Sequence, residues 1–263
     1  MSIYEHYERL SFERRDNGVL LVEINRPEKY NAADEQMLSE LVAVWPDVAN
    51  DADTRVAVVT GKGASFCAGG DLGEELERAG NYEPIVKSMA EARSLVENMV
   101  GCDKPIISAI NGPAAGAGLV VALLSDISII GENTQFTDGH VKIGLAAGDH
   151  AALIWPLLCG MAKAKYLLLT ADRIDGRTAD RIGLVSKAVP GDSVLTEALA
   201  LANQLAQGPQ HALQWTKRSL NSWLRLAMPA FEASLALEML TLFSDDAREG
   251  ITAFLERRPA RFS

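Results

Sequence analysis

Residues 139 to 156 read GHVKIGLAAGDHAALIWP and hold two of the chain's four histidines, His140 and His150, with Asp149 directly before the second. An imidazole titrates close to neutral pH, and a carboxylate that orients it makes it a competent general acid or base. His140 and Asp149 are therefore the first candidates for moving protons. The neighbouring residues have plainer expected roles. The run DHAALIWPLL reads as a helix start, where Asp149 would also serve as an N-cap accepting backbone N–H bonds, which would lower its pKa. His150 is expected in the core or at the surface, Asp138 is a weaker candidate from the same loop, and Trp155 and Pro156 read as structural.

Two turns rich in small residues could supply the complementary chemistry. SFCAGGDL, 65 to 72, follows an apolar strand, and Gly69 and Gly70 let a ligand approach backbone N–H groups closely. INGPAAGAGLVVALLSD, 110 to 126, repeats the arrangement: a strand ends at Asn111 and a helix begins near Gly116, presenting free N–H donors at its start. Neither turn carries G-x-G-x-x-G with its distant acidic residue or G-x-x-x-x-G-K-[ST], so dinucleotide and P-loop phosphate binding are disfavoured. One donor from each turn would make an oxyanion hole, each worth about 3–4 kcal/mol to a barrier at a carbonyl. Glu74 and Glu75, just beyond the first turn, begin an acidic segment that reads as flexible: a glutamate there could reach the cleft, with a solvated face the favoured reading.

These segments need a scaffold, and the pattern suggests an α/β one. Apolar, β-branched runs occur at 18 to 25, 55 to 61, 104 to 111, 123 to 132 and 183 to 190, with helical spacing at 34 to 49 behind a candidate N-cap, Asp34. Strands separated by helices imply parallel pairing. From Asp192 onward the pattern is one of successive amphipathic helices, broken at Gly208-Pro209. The expected division is a core at 1–191 and a helical region at 192–263.

Composition narrows the function classes. A net charge of −10 over 263 residues argues against nucleic-acid binding, which needs clustered lysine and arginine. The start MSIYEHYERLSFERR lacks an apolar leader and no window approaches the roughly 18 apolar residues of a membrane span, so the expectation is a cytoplasmic protein with no membrane partner. Cys67, Cys102 and Cys159 fit reduced thiols better than a disulfide or zinc framework. The absence of C-x-x-C and H-E-x-x-H spacings leads us to expect no metal.

NRPEKYNAAD, GASFCAGGDL, KPIISAINGPAAGAGLVVALLSDISIIGENTQF, ADRIGLVSKAVP and EGITAFLERRPARFS resemble, in order and spacing, motifs of the enoyl-CoA hydratase/isomerase (crotonase) superfamily. The resemblance covers nearly the whole chain. It implies a spiral of ββα units with a C-terminal helical region, assembly as a homotrimer or dimer of trimers, and an acyl-CoA substrate with no cofactor beyond the CoA it carries. Backbone N–H groups at Gly70 and Ala117 would form the oxyanion hole. Lys29, Ala32, Ala68, Gly69 and Asp71 would border the CoA groove, while Phe254 and Arg258 resemble positions that reach CoA, often across a subunit boundary. The segment 72 to 100 would shape the acyl pocket.

The chain also departs from the pattern. Hydratases of this family use two glutamates, and the corresponding positions here are Val120 and His140. Dienoyl-CoA isomerases of the family place an aspartate near Gly148, one residue from Asp149. A branch that cleaves β-diketone rings has D-G-P-H followed by G-I-V-P-G-D-G, similar to D-G-H and G-L-A-A-G-D-H here, although an additional histidine of that branch has no counterpart at 117 to 120. The leading expectation is therefore acyl-CoA chemistry through a stabilised enolate, with His140 and Asp149 moving protons or water. Hydrolytic C–C cleavage of a β-dicarbonyl compound and non-catalytic acyl-CoA binding are the alternatives.

Overall fold

The computed structural model describes residues 3–263. In chain order it contains β1 (Leu10–Arg14), β2 (Val19–Ile24), α1 (Glu35–Asn50), β3 (Val56–Gly61), α2 (Leu72–Arg78), α3 (Tyr82–Gly101), β4 (Ile106–Ile110), α4 (Ala117–Leu124) and β5 (Ile127–Gly131). There follow β6 (Gln135–Phe136), α5 (Ala151–Cys159), α6 (Met161–Thr170), β7 (Ile174–Asp175), α7 (Gly176–Arg181), β8 (Lys187–Val189), α8 (Val194–Ala206), α9 (Gln210–Thr241) and α10 (Asp245–Leu255).

The main sheet runs β1-β2-β3-β4-β5-β8, so successive main-sheet strands lie side by side and the chain winds in one direction. The pairs from β2 to β8 are parallel as expected, while β1, not anticipated from the sequence, closes the edge antiparallel to β2. The run 123 to 132 is a composite: its first two residues end helix α4, and the strand begins at Ile127. An apolar run hides such a switch because a buried helix and a buried strand look alike by hydrophobicity.

The period-two geometry of strands divides the core. Val19, Leu21, Val56, Val58, Ile107 and Ile129 face α8, whose Val194, Ala198, Ala202 and Ala206 recur every four residues and bring it close to the sheet. The alternate residues, Leu20, Val22, Ile24, Val59 and Ile106 among them, face a larger core shared with α1, α3, α4, α5 and α9. Asp34 caps α1 as expected, accepting from Met37 N–H at 2.9 Å. No single helix among the described residues is long and apolar enough to cross a membrane.

The C-terminal helices then clamp the loop that carries the histidines. Ser234, Glu238 and Thr241 lie on one face of α9 and bond respectively to Gly148 O (2.8 Å), Gly148 N–H (3.1 Å) and Ala146 N–H (3.1 Å). From the other side α10 packs against the 3-10 turn at His140–Ile143. A methyl at Gly250 would stand 2.4 Å from the Ile143 carbonyl. Gly250→Ala tests this docking. Helix propensity alone would make it stabilising by about 1 kcal/mol. Overpacking against backbone should instead destabilise by about 1–3 kcal/mol, measured as a lower urea midpoint.

Candidate functional site

Two turns at the carboxyl ends of β3 and β4 meet over one cleft. The first is held by the segment before α1: Ala33 N–H donates to Gly69 O at 2.7 Å and Asp71 N–H donates to Ala33 O at 2.9 Å. In such extended pairing alternate residues face opposite sides, so Gly70 N–H points away from Ala33. Arg26 fastens the same turn, donating to Ala32 O at 2.9 Å and to Asp71 Oδ2 at 3.0 Å. The second turn enters α4 through Gly116, whose φ of +43° few side chains tolerate. Ala117 is the first residue of α4, so its N–H has no intrahelical acceptor. The turns touch: a methyl on Gly116 would lie 3.5 Å from Gly69 Cα and 3.9 Å from Gly70 N.

The cleft they border has a volume of about 820 Å3, and titratable groups line it as well. His140, Asp149, Gly70, Ala117, Lys29, Ala32, Ala68, Gly69, Asp71 and Phe254 all line it, as does Val120. Arg258 is not among the lining residues; its guanidinium is paired with Glu249 at 2.6 and 2.8 Å and with Glu256 at 2.6 Å. Of the two readings of the acidic segment, Glu75 takes the less favoured: it sits in a helix, α2, lines the cleft, and accepts from Arg78 at 2.6 Å. Its Oε1 would stand 2.9 Å from a methyl placed on Gly70.

The pairing of the histidine loop also differs from the sequence expectation. The carboxylate that orients His140 is Asp138, whose Oδ1 accepts from Nδ1–H at 2.9 Å. Asp149 is held by His150 instead, with Nδ1 2.6 Å from Asp149 Oδ1. Asp149 does not cap α5 either: that helix starts at Ala151, with His150 in the cap position. His140 Nε2 thus remains open to the cleft, 3.9 Å from Asp149 Oδ2 and 3.7 Å from Glu238 Oε1. Both gaps exceed a hydrogen bond and leave room for a reacting atom to intervene.

Glu238 is the site residue that sequence reasoning missed. Its signal was a charged residue on the apolar stripe of α9, between buried Leu235, Met239 and Leu242, where an unpaired carboxylate would be costly. Glu238 is 7% exposed, Asp149 8%, His140 9% and Asp138 1%. Three carboxylates around one imidazole in so dry a place cannot all be ionised without penalty. Burial, together with the negative charge of Asp149, Asp138 and Glu75, outweighs His140 and pushes the Glu238 carboxyl well above the usual glutamate range. Burial would lower His140, but Asp138, Asp149 and Glu238 overcome it and raise the imidazole well above its ordinary value. For Asp149 burial pulls upward, and the imidazoles of His150 and His140 prevail and hold it at about 2. The surroundings thus favour the ionised form of Asp149 and the protonated forms of Glu238 and His140. One donor atom from each of Asp138, His140 and Asp149 lies within 4.8 Å of the others, a spacing a cation could also bridge, but Nδ1 of His140 is already engaged by Asp138.

The enoyl-CoA hydratase/isomerase family model matches residues 14–263. A probable enoyl-CoA hydratase of Rhodobacter capsulatus is 34% identical over 249 residues, 94% of this chain and 95% of its own length. The crystal structure of an enoyl-CoA hydratase/isomerase from Mycobacterium paratuberculosis superposes with a TM-score of 0.89 at 33% identity, covering 95% of this chain and 99% of that one. A β-diketone hydrolase from the cyanobacterium Anabaena, bound to (S)-3-oxocyclohexyl acetic acid, is similar too, with a TM-score of 0.84 and 29% identity over 91% of this chain and 96% of its own. A family match from residue 14 to residue 263, together with two adjoining N–H turns over a cleft of acid and base groups, means that this chain belongs to the enoyl-CoA hydratase/isomerase family.

Proposed function

We propose that this protein is an enzyme that adds water reversibly to an enoyl-CoA thioester, with Gly70 and Ala117 N–H groups holding the thioester oxygen. The observation that carries this reading is the placement of two buried carboxylates, Asp149 Oδ2 and Glu238 Oε1, 3.9 and 3.7 Å from His140 Nε2, in surroundings that shift their pKa values in opposite directions. Environments that drive two carboxyl pKa values apart mark an acid and a base. Asp149 Oδ2 takes a proton from water while the oxygen bonds to Cβ and the double-bond electrons move onto the thioester oxygen. The N–H pair stabilises that enolate. Glu238 then delivers its proton to Cα as the enolate collapses. His140 resets the site by giving its Nε2 proton to Glu238 and taking one from Asp149. Relatives named as hydratases support water as the nucleophile.

A second reading draws on the likeness to the β-diketone hydrolase. In it the same activated water attacks a ketone carbon, and the C–C bond breaks to an enolate held by the same donors. The substrate decides between the two.

A series of short to long enoyl-CoA thioesters, followed by loss of enoyl absorbance, should show turnover. Asp149→Asn and Glu238→Gln should each lower kcat about 10²–10⁴-fold with acyl-CoA binding retained in a thermal-shift assay. Consumption of a cyclic β-diketone with no turnover of any thioester would establish the second reading.

Glu238 also makes a stability prediction independent of substrate. Its folded pKa lies above its unfolded value, so the folded protein keeps a proton that the unfolded chain surrenders, and stability falls as pH rises above about 4.5. Glu238→Gln removes that loss. The variant should gain in urea midpoint relative to the parent between about pH 5 and pH 8, whereas a constant difference across this range contradicts an ionisable buried Glu238.

A further inference from the structure

Beyond the groups that face the cleft lies a second histidine, His150, which is fully buried and touches no substrate space. Its backbone begins α5: the carbonyl accepts from Leu153 and Ile154 N–H, both at 3.0 Å, so the residue is anchored before its ring makes any contact. On one side of the ring, Trp155 Nε1–H lies 3.2 Å from Nε2. An indole nitrogen only donates, so His150 Nε2 is the acceptor and carries no proton. Nδ1 must then bear the hydrogen, and it donates to Asp149 Oδ1 at 2.6 Å. The tautomer is thus set by a neighbour that is itself 1% exposed.

We propose that His150, locked as the Nδ1–H tautomer by Trp155, is a positioning residue that fixes the plane of the Asp149 carboxylate and turns Oδ2 toward His140 and the cleft. A carboxylate rotates about its last bond with little preference, so one held oxygen determines where the other points. With Oδ1 engaged by His150, Oδ2 is the oxygen left facing His140 Nε2. The chain of three does not relay a proton. Protonating Nε2 would set two N–H groups head to head, so a proton gained by Asp149 stays there until His140 accepts it. His150 acts on chemistry only through Asp149, and this inference rests on the role proposed for Asp149 above.

Two substitutions of similar polarity separate positioning from space filling. In His150→Asn the side-chain amide occupies the level of Nδ1 and can still donate to Asp149. In His150→Gln it reaches the level of Nε2, toward Trp155, and that donor is lost. Turnover of an enoyl-CoA should fall about 10²-fold in His150→Gln with KM nearly unchanged, and His150→Asn should restore it to within about threefold. Equal losses in both overturn the proposal. Long-range ¹⁵N–¹H correlation spectra of the resting protein test the lock without any substrate: the parent should show a bare Nε2 and a protonated Nδ1 at His150, and Trp155→Phe should release that preference. A protonated Nε2 in the parent refutes the lock. Correct spectra in a protein that turns over no thioester would instead count against the role given to Asp149, so the two failures are distinct.

Discussion

Three buried carboxylates, Asp138, Asp149 and Glu238, converge on one imidazole, and the surrounding structure is arranged around that imbalance. A dry site tolerates a charge only where donors meet it. Asp138 is met by the ring of His140, Asp149 by the ring of His150, and Glu238 by the N–H of Gly148. Burial and the neighbouring negative charge of Asp149 and Asp138 outweigh that single N–H and raise the Glu238 carboxyl well above its ordinary value. The residue that ties helix α9 to this loop is thus also the carboxyl whose pKa the site raises.

The opposite wall of the cleft uses a different kind of electrostatics. Gly70 and Ala117 contribute backbone dipoles that do not titrate and cannot reorient, because hydrogen bonds to Ala33 and the start of α4 hold them. Fixed dipoles and titrating groups share the cleft, so that charge and protons fall to different groups.

Much of this was legible in the chain. The parallel strands and Asp34 followed from periodicity and capping, and the two N–H turns followed from small residues after apolar strands. His140 and Asp149, grouped from their spacing, do line one cleft, but each is held by a different partner from the one expected. Asp138 and His140 are two residues apart and Asp149 and His150 are adjacent, and which ring meets which carboxylate depends on turn geometry that periodicity does not encode. A solvated face was the favoured reading of Glu75 because its pattern is that of any acidic helix face; its carboxylate lies against the Gly70 turn and the cleft, a proximity the pattern does not encode. Glu238 is remote in the chain, and its neighbours in sequence say that it is buried without saying what it is buried against.

The bond between Gly148 and Glu238 spans 90 residues of chain. A growing polypeptide exposes the histidine loop long before α9 has left the ribosome, and during that interval the loop lacks the group that clamps it. The reactive constellation is therefore a late product of biosynthesis, completed only when the final helices dock.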